Sequence, residues 1–239
     1  MPYVVVDTSV SLPATLSPSG LARKFWIVLA LGALTYEFEH RQLELDELER
    51  EAAATGGRLG GIDVAKRRVE LAQERKAALV EMLPYGTPDD WVAVGSAPLF
   101  DEYERKVRQI GSRFDPALSE EDAPRLRRQV EAVCVAGSPP FDPLAIPAFT
   151  KDPKDDPIVL TALLADADLL ISDDADIVPD RDRHRYEHED HSVSAMSFNT
   201  LMTDHLGAID IQWSSIDGAW LGQAYPQSGS DEPLGATER

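Results

Sequence analysis

Positive charge is scarce in this sequence of 239 residues, which carries 23 lysine and arginine side chains against 42 aspartates and glutamates. The formal net charge of −19 repels nucleic acid at long range, because affinity for nucleic acid comes largely from basic side chains that neutralise phosphates. Any binding of nucleic acid must therefore work through a metal ion or a local basic patch.

Cysteine and long apolar runs are also scarce. The single cysteine, Cys134, excludes an intramolecular disulfide framework and fits a reducing compartment. The longest apolar stretch, residues 25–34, is too short to span a bilayer, and no basic segment followed by an apolar one opens the chain. No glycine-rich phosphate loop is present, so a nucleotide-cofactor enzyme has no support. We expect a cytoplasmic protein without a membrane segment.

Strand and helix signals alternate along the chain, which is typical of an α/β fold with a parallel sheet. The β-branched run YVVVDTSV predicts the first strand, DDWVAVGS and DLLIS predict two others, and LAIPAFT is a further candidate. The first helix is expected to follow SPSG, with Ser17 or Ser19 as its cap. Ser119 and Asp122 have the spacing of a capping box at another helix start. The remaining predicted helices are APLFDEYERKVRQI, DPIVLTALLADA and SFNTLMTDHL.

Two segments interrupt or follow this alternation. Residues 36–83 contain two charged, helix-favouring stretches around the break TGGRLGG, which predicts an inserted helical hairpin. Residues 207–239 are rich in glycine, serine and acids, and we expect a flexible tail in which IDIQWSSI is a candidate edge strand. The predicted main domain therefore covers residues 1–206.

Acidic residues gather at the predicted strand ends. Asp7 follows the first strand, Asp174 follows DLLIS, and Asp155 begins the helix before that strand. Because the carboxyl ends of parallel strands meet at one edge of a sheet, these acids are expected to lie together, and Glu102 can reach them from the helix after the second strand. Clustered carboxylates repel one another unless a cation neutralises them, and hard oxygen ligands select Mg²⁺ or Mn²⁺.

Each of these acids also has a structural interpretation. The segment of Asp7 is compatible with a turn, and Glu102 with the solvated face of an amphipathic helix. Several other acids can interact with a helix N-terminus or solvate a loop without taking part in chemistry. These are Asp152, Asp155, Asp156, Asp173 and Asp176. The ordered set of four acids is more specific than any single member.

Four segments taken in chain order resemble a PIN domain, in particular the subgroup assigned as toxins of bacterial toxin–antitoxin pairs. They are VVVDTSV, the Ser-x₅-Glu-Tyr pattern of residues 96–103, DPKDDPIVLTALLADADLLISDDADI and SFNTLMTDHL. PIN domains are metal-dependent nucleases, usually ribonucleases, with a central parallel sheet and an acidic pocket. The resemblance covers residues 1–206 and is interrupted by the predicted hairpin.

The resemblance implies a set of site residues. The acids of the PIN pocket fall on Asp7, Glu102, Asp155 and Asp174 as catalytic residues and metal ligands, and a one-residue shift would replace Asp155 by Asp156. The supporting residues that it implies are Thr8, Ser9, Ser172, Asp156 and Asp176. The implied reaction is hydrolysis of an RNA phosphodiester bond by water activated on one or two Mg²⁺ or Mn²⁺ ions. A small antitoxin and a second copy of the chain are the implied protein partners.

Two other functions stay open at this point. One is a catalytically weak PIN scaffold that binds protein partners, which the acidic surface and the inserted hairpin favour. The other is a zinc peptidase, because His184, Glu187 and His188 spell H-x-x-E-H and His191 adds a possible ligand. That chemistry requires a helix with an apolar back, whereas the flanks here are charged and follow Pro179. Adventitious binding of zinc or nickel is the better interpretation of these histidines.

Overall fold

Short apolar and β-branched runs form the strands of one sheet. A computed structural model describes residues 1–17, 20–55, 61–83, 87–113, 115, 117–142 and 145–206. The strands in this part of the chain are β1 (Tyr3–Val6), β2 (Val92–Gly95), β3 (Ala136–Gly137), β4 (Leu169–Ile171), β5 (Arg183–His188) and β6 (His191–Met196). Their order across the sheet is β3-β2-β1-β4-β6-β5.

The sheet is parallel except at one edge. β1 pairs in parallel with β2 and β4, β2 with β3, and β4 with β6, whereas β5 pairs antiparallel with β6. The chain therefore leaves β1 toward β2 on one side and returns to β4 on the other. This reversal makes the carboxyl ends of β1 and β4 a topological switch point, where binding sites of open α/β sheets form. The predicted α/β class with a parallel sheet is confirmed.

Helices cover both faces of the sheet. They are α1 (Thr8–Leu16), α2 (Leu21–Thr55), α3 (Ile62–Val80), α4 (Ala97–Ile110), α5 (Ala123–Val133), α6 (Asp156–Leu164) and α7 (Phe198–Leu201). Short 3₁₀ turns at Gly111–Arg113 and Glu120–Asp122 and a π-helical turn at Met202–Leu206 complete the elements. None of the helices in the described ranges combines the length and the apolar character that crossing a bilayer requires.

The alternation of side chains along β1 divides the core into two layers. Val4 and Val6 pack with apolar residues of α1, α2, α4 and α5, whereas Val5 packs with apolar residues of α6. All three valines are at most 5% exposed. The central strand is therefore buried on both faces, as expected for a parallel sheet between helical layers.

The first helix begins earlier than predicted. The helix expected after SPSG is present as α2, which begins at Leu21. It is the second helix rather than the first, because α1 already starts at Thr8, directly after β1. Asp7 supplies the N-cap, and Ser17 is the C-cap residue of α1. Ser19 lies outside the described residues. The cap explains the early start, because the Asp7 carboxylate accepts hydrogen bonds from the first free backbone N–H groups of the helix.

The first helix of the predicted hairpin is continuous with the helix that packs on the sheet. α2 runs without a break from Leu21 to Thr55, so that one helix contains both the buried stretch 25–35 and the exposed stretch that packs on α3. Of the predicted turn TGGRLGG, residues 56–60 lie outside the described residues. Gly32 allows α2 to approach β2, because a Cβ there would lie 1.8 Å from the carbonyl oxygen of Trp91.

The base of α3 belongs to the folded core. Leu79 is fully buried against Ile27, Leu31 and Leu34 of α2. Lys76 forms a 2.7 Å ion pair with Asp89, just before β2. Only the distal part of the helix pair therefore lies away from the sheet.

Two further strand expectations are corrected. The segment LAIPAFT was expected to form a strand, but residues 145–150 contain none, and the third strand is β3 instead. Prolines flank and interrupt that segment, and proline cannot donate to a strand ladder. No strand was predicted in the polar stretch 178–192, which contains β5 and the start of β6. The predicted tail, residues 207–239, and its candidate strand IDIQWSSI lie outside the described residues.

The capping-box prediction is confirmed before α5. Asp122 accepts a hydrogen bond from the backbone N–H of Ser119 at 3.0 Å. This contact closes the 3₁₀ turn that leads into α5.

Candidate acidic metal site

An open pocket of about 200 Å³ lies at the carboxyl ends of β1 and β4. The sequence-predicted acids Asp7, Glu102, Asp155 and Asp174 all line it. They come from four places in the chain: the N-cap of α1, the middle of α4, the residue before α6 and the loop after β4. The predicted supporting residues Thr8 and Ser9 also line this pocket, which we call the acidic pocket.

Asp7 is the best satisfied acid of the acidic pocket. Its Oδ1 accepts from the backbone N–H of Thr8 at 2.6 Å, and its Oδ2 from the hydroxyls of Ser9 at 2.5 Å and Ser172 at 2.8 Å. The side chain is only 3% exposed. Asp7 is therefore both a structural cap and a fixed negative charge in the wall of the pocket.

The loop after β4 turns tightly through hydrogen bonds of its own side chains. The Oγ of Ser172 accepts from the backbone N–H of Asp174 at 3.0 Å, and Oδ1 of Asp174 accepts from the backbone N–H of Asp176 at 2.9 Å. The Ser172 hydroxyl thus links Asp7 to this loop. The supporting position that the resemblance assigned to Ser172 connects the ends of β1 and β4 directly.

A group of three carboxylates has the spacing of a metal site. One oxygen each from Asp155, Asp174 and Asp176 lies within 4.8 Å of the others. Asp7 and Glu102 complete no further group of this spacing within the described ranges, although they line the acidic pocket. Asp176 was predicted only as a supporting residue, but its carboxylate lies close enough to those of Asp155 and Asp174 to share a metal ion with them.

Asp155 is the least satisfied acid in the pocket. It is 9% exposed, and its carboxylate accepts no hydrogen bond from the part of the chain that the structure describes. Burial, followed by the charges of Asp174, Asp7 and Glu102, raises the pKa of Asp155 to about 7 from its ordinary value of 3.8. A carboxylate that is buried, surrounded by other acids and free of donors is costly without a cation.

The adjacent Asp156 has a different role, which separates the two possible registers. Its Oδ1 accepts from the backbone N–H groups of Phe149 at 2.9 Å and Thr150 at 2.8 Å, and from the Thr150 hydroxyl at 2.9 Å. This carboxylate fixes the loop before α6 and does not line the acidic pocket. The geometry therefore favours Asp155 over Asp156 as the residue that faces a bound ion.

Glu102 and Lys106 bring α4 into the pocket. Oε1 of Glu102 accepts from the Thr8 hydroxyl at 3.2 Å. Burial and then the charge of Asp7 raise the pKa of Glu102, while the positive charge of Lys106 acts in the opposite direction. Lys106 lines the pocket one helical turn after Glu102, and its ammonium group makes no ion pair within the described ranges.

Lys106 and part of the pocket wall were not found from the sequence. Lys106 has a detectable signal, because residues four apart lie on the same face of a helix and Glu102 was already a candidate. The apolar wall formed by Leu12, Pro13 and Ile110 has no such signal. It depends on how α1 and α4 pack together.

The zinc-peptidase interpretation is wrong for this structure. His184, Glu187 and His188 lie on strand β5 rather than on a helix. Because side chains alternate along a strand, Glu187 lies on the face opposite to His184 and His188. His191 lies on β6, with its Nδ1 2.6 Å from an oxygen of Asp166. Within the described ranges these histidines form no group with the spacing of metal ligands.

Comparisons with models of protein families, with curated proteins and with solved structures find no match to this chain.

Proposed function

We propose that this protein is a ribonuclease that depends on a divalent cation, Mg²⁺ or Mn²⁺, held in the acidic pocket. The observation that carries the proposal is Asp155, a buried carboxylate that lies among three other acids and accepts no hydrogen bond from the described residues. Neutralising such a group by a cation favours the native state. Oxygen ligands alone, without histidine or cysteine, suit Mg²⁺ or Mn²⁺ rather than zinc.

The acids divide into two kinds by their existing contacts. Asp155 and Asp174 belong both to the three-carboxylate group with Asp176 and to the acidic pocket, so they are our candidates for direct ligands. Asp7 already accepts bonds on both oxygens, so it would contribute charge and contact a bound ion through water. A bound ion supplies a Lewis acid that lowers the pKa of water and stabilises charge developing on phosphate oxygens.

Glu102 and Lys106 support phosphate chemistry from the opposite wall. Glu102 has a raised pKa and is partly buried, which suits a group that accepts a proton from an attacking water. Lys106 provides a positive charge beside it that forms no ion pair with the described residues, where it can attract one phosphate despite the net charge of the protein. The acidic pocket therefore contains carboxylates that suit a cation and one lysine, Lys106, that suits a phosphate.

The finer parts of the proposal depend on the resemblance to PIN domains. RNA as the substrate, internal cleavage, the toxin role, the small antitoxin and the pairing with a second copy all come from that resemblance. The single Cys134 fits the cytoplasmic setting that this activity implies. The toxin role predicts that expression of the wild type arrests bacterial growth and that expression of Asp174→Asn does not.

The test is a time course of cleavage on a mixed pool of single-stranded RNA, with Mn²⁺, with Mg²⁺ or with a chelator. We expect cleavage with metal only. Asp155→Asn and Asp174→Asn should lose about a hundredfold or more, because even groups that act through a ligand matter by about 10 to 100-fold.

The matched controls are neighbours in the same segment. Asp152→Asn should cleave as the wild type does, and Asp156→Asn should keep metal dependence whenever it folds. Full activity in Asp155→Asn would contradict the proposal. Metal binding without cleavage of any RNA would instead favour the weak PIN scaffold that binds protein partners.

A further inference from the structure

A second pocket of about 350 Å³ adjoins the acidic pocket. Its lining residues are Ser172, Asp173, Ala175, Val178, Arg181, Ser197 and Asn199. The two pockets lie on opposite sides of the loop after β4, because Asp174 lines the first while Asp173 and Ala175 line the second. Only the thickness of one chain segment separates them.

Arg181 is the cation of this second pocket. Its side chain makes no ion pair or hydrogen bond within the part of the chain that the structure describes, although Asp173 lines the same pocket. The Asp173 carboxylate is engaged instead with the backbone N–H of Phe198 at 2.9 Å. An arginine without a partner in a concave site is suited to bind phosphate, since its guanidinium donates two parallel hydrogen bonds.

The backbone at Arg181 has a conformation that favours glycine. Arg181 has φ of 55°, the left-handed region that a residue with a Cβ rarely adopts, and its N–H donates to the carbonyl of Val178 at 2.9 Å. Glycine would adopt this turn without the steric cost. Arg181→Gly therefore removes the side chain without straining the turn.

We infer that the second pocket binds the RNA nucleotide next to the bond that is cleaved. Arg181 contacts its phosphate, the exposed Ala175 gives its base an apolar contact, and the exposed amide of Asn199 offers both donors and an acceptor to the base edge. A strand with one phosphate at the acidic pocket crosses the loop after β4 and reaches this pocket with its next nucleotide. This inference rests on the proposed function for the identity of the strand.

The test measures binding without cleavage. A short fluorescein-labelled single-stranded RNA is titrated with the full chain in chelator at low ionic strength, and anisotropy gives the Kd. We expect Arg181→Gly to weaken binding about tenfold or more, as for a lost hydrogen bond to a charged group. The slope of log affinity against log salt should fall in magnitude by about 0.7, the value for one phosphate contact on a single strand. Asp173→Asn, which removes a negative charge from the pocket, should tighten binding.

Two controls separate the side chain from its backbone and its charge. Glu189→Gly also replaces a residue of positive φ, 52°, on the turn between β5 and β6, but lies outside the pocket. Arg50→Ala removes the same charge from the distal part of α2. Both should bind RNA as the wild type does, and Arg181→Gly should unfold in urea at the wild-type midpoint or above it.

The outcomes distinguish this inference from the nuclease itself. A wild type that cleaves RNA while Arg181→Gly keeps its Kd would overturn the second pocket alone. A wild type that cleaves nothing, with affinity still lost in Arg181→Gly, would support the pocket and contradict the nuclease. A wild type that binds no RNA in chelator would overturn the nucleotide assignment.

Discussion

Replacing Asp155 and Asp156 in turn by asparagine should change stability in opposite directions. The two residues are adjacent and both are buried, but their carboxylates have different surroundings. Asp155 has other acids around it and no donor in the described part of the chain, whereas Asp156 accepts three hydrogen bonds from Phe149 and Thr150. An amide keeps the volume of the side chain and removes its charge.

The magnitude for Asp155→Asn follows from its pKa. A pKa of about 7 in the folded state, against 3.8 ordinarily, means that the native state binds this proton more tightly than the unfolded state does. At about pH 8 the ionised group costs up to about 4 kcal/mol without metal. The pocket is open to solvent and the amide has its own desolvation cost, so we expect Asp155→Asn to gain about 1 to 3 kcal/mol.

Asp156→Asn should lose stability. Hydrogen bonds to a charged acceptor contribute about 1.5–3 kcal/mol each, and those to a neutral one about 0.5–1.5 kcal/mol. The amide oxygen can still accept the bonds from Phe149 and Thr150, but without the charge. We expect a loss of about 1 to 3 kcal/mol.

The assay is urea unfolding of both variants and of Asp152→Asn, in chelator at about pH 8. The free energy of unfolding should rise for Asp155→Asn and fall for Asp156→Asn. It should stay within about 0.5 kcal/mol of the wild type for Asp152→Asn, because the half-buried Asp152 carboxylate accepts only one backbone hydrogen bond, from Lys154, within the described residues. Equal losses for Asp155→Asn and Asp156→Asn would show that both are structural carboxylates, and would contradict the assignment of Asp155 to a cation site.

Three other predictions follow from the same contacts. Mn²⁺ affinity, measured by titration at several pH values, should rise about tenfold per pH unit up to about pH 7 and then level off, because Asp155 must first lose its proton. Asp7→Asn should lower the free energy of unfolding in chelator by about 1 kcal/mol, since this residue caps α1; a gain would show that repulsion dominates there. Replacing residues 42–72 by a short linker should leave the Mn²⁺ affinity unchanged, because Leu79 and its contacts with the first half of α2 stay in place. A folded variant without metal binding would show that the helix pair shapes the site.

The sheet and the meeting of the acids could be predicted from the sequence because both depend on local signals. The β-branched run YVVV favours a buried strand, and residues that follow parallel strands meet at one edge of the sheet. From that rule, Asp7 and Asp174 were predicted to lie close together although they are far apart in the sequence. The finer identity of the fold as a PIN domain stays a prediction.

The elements that could not be predicted depend on tertiary contacts. β5 is an edge strand that carries arginines, histidines and a glutamate, and Tyr186 is its one buried side chain. Its sequence therefore lacks the apolar alternation that would predict a strand. α2 changes from a buried to a charged surface within one helix, because its first half packs on the sheet and its second half packs on α3. The choice between Asp155 and Asp156 is made by donors from residues 149 and 150, which periodicity does not reveal.

The cation site itself is tested most directly by calorimetric titration of Mn²⁺ into the wild type, Asp155→Asn and Asp152→Asn at about pH 8. We predict that the wild type and Asp152→Asn bind Mn²⁺ with equal affinity and that the affinity of Asp155→Asn is lower by about a hundredfold or more. Equal Mn²⁺ affinity in the wild type and Asp155→Asn, or no binding to the wild type, would contradict it.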